Sequence, residues 1–307
     1  LEDNIKDDTT EELSYEKQRE LALTKDLRIQ KEISNPGYVK LIPSKFKLEY
    51  NKEKQSYILV KRGPRLKYYN KEKYKKDIYK NPKGPLYGTI VHRAIEILMK
   101  KSNNLEKFKD EDVKYSTSRA LSEIVEKIQI NSANVSQIYH PLSPMASILL
   151  EVKLTKGNKE AQTILKEALQ DFVEEVLSNF VNNQEVRELL LNAKEVYTEM
   201  PFTIAINKEN MEIYEMISGL SSNDSSKEFL INGTMDLVIK NVDDTWTILD
   251  YKTNTIGMGN AIKTLKRLYT PQLKGYKILF EEILKVEKAC VKDLIIYSTY
   301  IDELIYL

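Results

Sequence analysis

The sequence predicts an α/β fold, a mixed central sheet flanked by helices and carrying a helical insertion. Three observations predict it. Apolar residues recur at spacings of three and four through much of 85–196. Beyond 196 the chain changes to short β-rich runs. Two acids lie inside those runs, where a carboxylate is costly unless paired or bound to metal.

The elements follow in order. Residues 1–36 are polar with helical stretches such as Tyr15 to Ile33, and Asn35-Pro36-Gly37 ends them, so 1–37 reads as an arm or linker. Residues 38–62 suggest short extended segments, Tyr57 to Val60 the clearest. Gly84-Pro85 precedes a helix from about Leu86 to Lys100, with apolar Ile90, Val91, Ala94, Ile95, Leu98 and Met99. The stretch 110–196 is mostly helical, with regular spacing from Glu160 to Leu191. Val196–Ile206, Phe229–Lys240, Thr245–Thr253 and Val291–Tyr300 read as strands of a sheet of about four or five. A helix from Pro271 to about Leu284 lies between the last two, with Thr270 as its cap. Residues 38–307 then form one domain, with about 101–196 as the helical insertion.

Bulk properties narrow the function. The chain has 307 residues, 41% apolar and 30% charged, which suits a globular protein with a sizeable core. No apolar run reaches about 18 residues, so no membrane partner is expected. The start, Leu1-Glu2-Asp3-Asn4, is no secretory signal and lacks a Met, which suggests a fragment or processed product. Cys290 is the single cysteine, which excludes an internal disulfide and four-cysteine metal sites and fits a reducing, cytoplasmic setting. There is no GxxxxGK[ST] loop, so no nucleotide-hydrolysing motor is expected. Net charge is +1, but residues 60–84 carry ten Lys or Arg against two acids, interleaved with Tyr68, Tyr69, Tyr74 and Tyr79. That pattern suits phosphates and bases, though a solvated lysine-rich loop is the commoner source of it.

The chemistry gathers around Ile231 to Asp236 and Ile248 to Lys252. Asn241-Val242-Asp243-Asp244 between them is a turn signal. A three-residue loop, Val242 to Asp244, pairs Asn241 with Thr245 and sets Asp236 opposite Asp250; a four-residue loop sends them to opposite faces. In the first register their Cβ atoms lie about 5 Å apart, which suits shared coordination of Mg²⁺. Lys252 follows Asp250 by two and faces the same side. An ammonium there can orient a water or offset charge developing on a phosphate. An acid two before a lysine also occurs at Asp112–Lys114 and Glu151–Lys153, so the strand setting carries the argument. Gln272 and Tyr276 share a helix face, a spacing more often found on ordinary surface. Lys263, Lys266, Arg267, Lys274 and Lys277 surround them with no acid in 261–277, a surface suited to tracking phosphates. Gly88, His92 and Glu96 recur at intervals of four. A glycine permits close approach, and a histidine is a packed residue more often than a ligand. His140 reads as a loop residue with no metal role.

Gly88-Thr89-Ile90-Val91-His92, Gly233-Thr234-Met235-Asp236, Asp250-Tyr251-Lys252 and Gln272-Leu273-Lys274-Gly275-Tyr276 occur in that order. The ordered set resembles the RecB-family pattern of PD-(D/E)XK nucleases, shared by the nuclease ends of AddA and RecB helicase–nucleases and by CRISPR-associated exonucleases. The resemblance covers about 85–300, and Pro43-Ser44-Lys45 is similar to the segment entering AddA-type nuclease domains. Met235 stands where the class name has proline. The single cysteine separates the chain from iron–sulfur members and brings it closer to AddA. The resemblance implies a PD-(D/E)XK, restriction-endonuclease-like fold. It implies that His92, Asp236, Asp250 and the carbonyl of Tyr251 bind metal, that Lys252 positions the attacking water, and that Gln272 and Tyr276 hold DNA or order the site. Glu199, in Thr198-Glu199-Met200-Pro201-Phe202, resembles a strand opening in the same family, where a structural role is commoner than a catalytic one.

The expected function is therefore a DNA nuclease dependent on Mg²⁺, with Mn²⁺ able to substitute, acting as an exonuclease in repair or recombination. The expected partners are DNA, single-stranded or with a free end, a helicase region upstream and a second helicase–nuclease subunit. The alternatives are a catalytically inactive DNA-binding module with the same fold, which binds without cleaving, and a protein-interaction domain without DNA affinity.

Overall fold

The structure is a computed structural model that describes residues 38–41, 46–51, 56–61, 81–101, 108–206, 228–255, 260–284 and 291–307. The expected arm at 1–37, Pro43-Ser44-Lys45, most of the basic tyrosine-rich stretch and Cys290 lie outside the described residues.

Eight strands are described. They are β1 (Tyr38–Leu41), β2 (Phe46–Asn51), β3 (Ser56–Lys61), β4 (Ala193–Ile206), β5 (Glu228–Asn241), β6 (Trp246–Lys252), β7 (Val291–Ser298) and β8 (Glu303–Tyr306). Six form one mixed sheet, against the four or five expected; β2 and β3 form a separate antiparallel hairpin. β8 is not among the expected strands: β7 stops at Ser298, short of Tyr300, and a turn through Asp302 returns the chain antiparallel along it. β4 lines one edge of β5 along nearly its whole length. The other edge is shared by β1, parallel at Glu228–Ile231, and β6, antiparallel at Leu237–Lys240. β6 pairs with β7 in parallel.

Seven helices are found among the described residues: α1 (Pro85–Lys101), α2 (Asp110–Val125), α3 (Ser132–Val135), α4 (Pro144–Lys156), α5 (Asn158–Asn182), α6 (Gln184–Leu191) and α7 (Ala261–Leu284). α2 to α6 occupy the chain between α1 and β4, the stretch expected to be helical. The regular spacing from Glu160 to Leu191 is split at Asn183, whose side chain accepts the Val186 N–H at 3.2 Å and caps α6. Leu165, Leu169, Val173, Leu177 and Phe180 of α5 form a fully buried stripe that joins α1 and one sheet face, through Leu237, Ile239, Leu249, Tyr251, Ile295 and Tyr297, in the main core. Met235, Val238 and Ile248 pack on the other side against Tyr276, Leu279 and Phe280 of α7.

α7 corrects the expected start at Pro271. The helix begins ten residues earlier, at Ala261, and contains Pro271 in its interior. An interior proline costs about 3 kcal/mol. Across it runs a buried stripe of Ala261, Leu265, Tyr269, Leu273, Tyr276 and Phe280. Each large side chain of that stripe contributes about 1.5–3 kcal/mol, so burial outweighs the proline. Among the described residues no helix is long and apolar enough to cross a membrane.

Candidate active site

The β5–β6 hairpin positions the site. The Asn241 N–H donates to the Thr245 carbonyl at 2.8 Å across the loop Val242 to Asp244, and Asp244 takes the left-handed turn position at φ 60°. Leu237 then faces Leu249, and the ladder stops there, one residue short of the expected pairing of Asp236 with Asp250. In place of a backbone partner, the Tyr251 N–H donates to Asp236 Oδ2 at 2.8 Å. Backbone pairing between β5 and β6 ends where the acids begin.

The end of the ladder coincides with a slip in side-chain alternation. Met235 and Leu237 have the same parity and should share a face. Instead Met235 packs toward α7 and Leu237 toward α1 and α5. β4 slips in the same place. Tyr197 and Met200, of opposite parity, both pack against the α7-side cluster. Between them Glu199 has φ 48°, an uncommon conformation for a residue with a side chain. The β4–β5 register is the same before and after, so Glu199 is level with Asp236. Two matched irregularities thus bring two acids out beside α1.

His92 of α1 meets them. Its Nδ1 lies 3.5 Å from Asp236 Oδ1 and 3.8 Å from Glu199 Oε1. Its Nε2 lies 3.2 Å from the Tyr251 carbonyl oxygen, and its ring stands edge-on to the Tyr251 ring. Gly88, one turn earlier, allows this approach: a Cβ there would sit 3.0 Å from Thr253 Oγ1. Glu96, one turn later, is engaged elsewhere, by Arg93 and Lys100 at 2.6 Å each, and Arg93 also pairs with Glu123 of α2. That network ties the helix bearing His92 to its neighbour.

His92, Glu199 and Asp236 each offer a ligand atom, all within 4.8 Å of one another. Glu199, expected more often in a structural role than a catalytic one, therefore stands in a group of potential metal ligands. The sequence does carry a signal for it: an acid inside a strand-forming run, the same feature that singles out Asp236. Asp250 is not in that group. It is buried on the next strand, where its Oδ2 is paired with the Lys252 ammonium.

The electrostatics describe a site short of positive charge. Burial and the Asp236 charge push Glu199 up to about 7. Burial raises Asp250 to about 6; the Asp236 charge adds to this and Lys252 opposes it. Burial alone would lower His92, but the Asp236 carboxylate outweighs it and holds the imidazole up at about 9. Burial likewise works against Asp236, yet His92, Lys252 and the Tyr251 N–H keep it below the usual carboxylate range. Lys252 is held charged, above the usual lysine range, because Asp250 and Asp236 outweigh its burial. Two of three acids resist ionisation, and the donors are imidazole and carboxylates. That set fits a divalent cation.

Gln272 and Tyr276 are not the surface pair their spacing suggests. They are 8% and 5% exposed, and Gln272 Nε2 donates to the Tyr276 hydroxyl at 3.0 Å. Tyr276 packs edge-on against Phe202. Burial, then the Asp250 charge, pushes its phenol up to about 12. Both side chains are therefore packed inside the fold beside Asp250. Lys263, Lys266 and Arg267 are exposed on the outer side of the same helix. His140 is in a loop, its Nδ1 accepting the Leu142 N–H at 3.1 Å.

The family model described as the PD-(D/E)XK nuclease superfamily matches residues 64–299, a span that takes in α1, the sheet strands from β4 to β7 and all of α7. No curated protein matches the chain.

Proposed function

The chain belongs to the PD-(D/E)XK nuclease superfamily, and from that premise we propose that it is a metal-dependent DNA nuclease, acting on single strands or free ends. The observation that carries the proposal is the convergence of His92, Glu199 and Asp236 at the open end of the β5–β6 ladder, with Asp250 and Lys252 beside them.

His92, Glu199 and Asp236 would hold the cation, Mg²⁺ or Mn²⁺ in its place, with the Tyr251 carbonyl and Asp250 completing the set. When bound, such a cation supplies Lewis acidity toward a phosphoryl oxygen and makes water a stronger nucleophile. His92 gives up its proton to become a ligand. Lys252 presents a fixed ammonium to the negative charge that develops on the attacked phosphate, and Asp250 holds that ammonium in place. Gln272 and Tyr276 brace the α7 side of the site. Lys263, Lys266 and Arg267 give α7 a cationic outer face on which a DNA backbone can lie. The motif order in the sequence supports a RecB-type, AddA-like nuclease that trims DNA ends in repair or recombination beside a helicase. The low cysteine content is in keeping with a cytoplasmic setting.

The test is incubation of the purified chain with end-labelled single- and double-stranded DNA, with Mg²⁺, with Mn²⁺ and with chelator. Cleavage that needs the metal and is lost on chelation is the expected result. DNA binding with no cleavage under any condition would return the alternative of an inactive binding module. Absence of both would leave a protein-interaction domain.

A further inference from the structure

Asp250 is not the only partner of Lys252. The Lys252 ammonium also lies over the ring of Tyr269, 4.7 Å from its centroid. The ring is fixed at both ends. Its hydroxyl donates to Asn254 Oδ1 at 2.6 Å, two residues beyond Lys252 on the same chain segment. Its body is 4% exposed and packs among Leu265, Leu273, Ile296 and Ile305. The Lys252 carbonyl accepts the Thr299 N–H at 3.0 Å, so the backbone beneath the side chain is fixed as well. A lysine side chain has four rotatable bonds, and one carboxylate two residues away leaves several of its rotamers open. An aromatic face attracts the cation and removes most of the rest. Tyr269 reaches Lys252 only because α7 continues on the N-terminal side of Pro271.

We propose that Tyr269, braced by Asn254, is a positioning residue for Lys252, its ring face holding the ammonium beside Asp250 at the active site. The proposal rests on the nuclease reading for its catalytic consequence, but the contact itself does not. A tyrosine that merely fills the core would leave Lys252 indifferent to whether an aromatic or an aliphatic side chain stands there.

The test compares Tyr269→Phe, Tyr269→Leu and Asn254→Ala in the full chain by two readouts. The first is the NMR signal of the Lys252 side-chain methylene next to the ammonium in ¹³C-lysine-labelled protein, assigned through its loss in Lys252→Arg. A ring face shifts that signal upfield. The shift should vanish in Tyr269→Leu and diminish alike in Tyr269→Phe and Asn254→Ala, each of which keeps the ring and removes the same hydrogen bond. The second is DNA cleavage, where Tyr269→Leu should lower kcat about tenfold with KM within about twofold, and Tyr269→Phe should stay within about threefold of wild type. An unchanged Lys252 signal in Tyr269→Leu would overturn the proposal. So would a loss confined to KM, or a Phe variant as impaired as the Leu variant. If Tyr269→Leu does not fold, Asn254→Ala decides: an unmoved signal with unchanged kcat refutes the bracing. Wild-type protein that cleaves no DNA would refute the nuclease reading, and the spectrum would still decide whether the ring holds the lysine.

Discussion

The two ends of the β5–β6 hairpin contain the same kind of sequence and do opposite things. At the turn end, Leu237 to Lys240 pairs with Trp246 to Leu249 in unbroken register, and the side chains alternate between two apolar clusters. At the other end the ladder stops, the alternation slips, and Asp236, Asp250 and Lys252 are buried or nearly so. The turn end obtains its stability from burial and backbone pairing. The open end gives up backbone pairing and concentrates charges that resist one another. A buried charge survives where something offsets its desolvation, and here the offset is partly internal, through His92 and Lys252, and partly left for a cation.

The largest test of that contrast exchanges one residue at each end. Asp250→Ala or Lys252→Ala should lower cleavage at least about a hundredfold while leaving folding and DNA binding largely intact. Leu249→Ala, one residue away, should cost about 2–5 kcal/mol of stability, with the folded fraction still active. Denaturant unfolding and cleavage rates measured on all three check it. Lys252→Ala cleaving at the wild-type rate would remove the lysine from the mechanism.

Register is the next lever. One residue inserted after Val242 lengthens the loop to an even number and should shift Asp236 by one residue relative to Asp250. Cleavage should fall far more than the unfolding midpoint. A loop that absorbs the residue would instead leave both unchanged.

Parity in the sequence reaches this far and then meets its limit. Turn chemistry at Asn241 to Asp244 and strict alternation are enough to set the register that pairs Leu237 with Leu249, which ends one residue short of Asp236 and Asp250. They are not enough to reveal the slip at Asp236 and Glu199, because no glycine or proline marks a residue that takes φ 48° by virtue of its neighbours. The gathering of Glu199 with His92 and Asp236 therefore depends on tertiary structure, as does the burial of Gln272 and Tyr276. Pro271 misleads for a related reason. A local rule about proline is overridden by a buried stripe spread over six helical residues.

Glu199 also makes the contrast visible in pH. Its folded pKa, about 7, lies above the ordinary value of 4.5. The folded metal-free protein therefore holds this proton more tightly than the unfolded chain does. Its contribution to stability is fully present below about 4.5 and is lost as pH rises through about 7. Glu199→Gln should flatten that fall in metal-free protein and weaken Mn²⁺ binding roughly tenfold or more. Thermal melts from pH 4.5 to 8, with and without Mn²⁺, check both. A steeper fall in Glu199→Gln would show that other groups set the slope.

The smallest effect belongs to the outside of α7. Replacing Lys263, Lys266 and Arg267 together should weaken DNA binding similarly for all sequences and reduce the salt slope by about 3, roughly 0.9 for each phosphate no longer neutralised. Sequence-selective weakening would mean that these side chains read bases.

Anomalous scattering from a crystal soaked in Mn²⁺ decides whether the open end of the hairpin is a metal site. A peak is expected within ligand distance of His92, Glu199 and Asp236, beside the Tyr251 carbonyl. A peak elsewhere, or a His92 ring turned away from it, would mean that the metal is held by other residues.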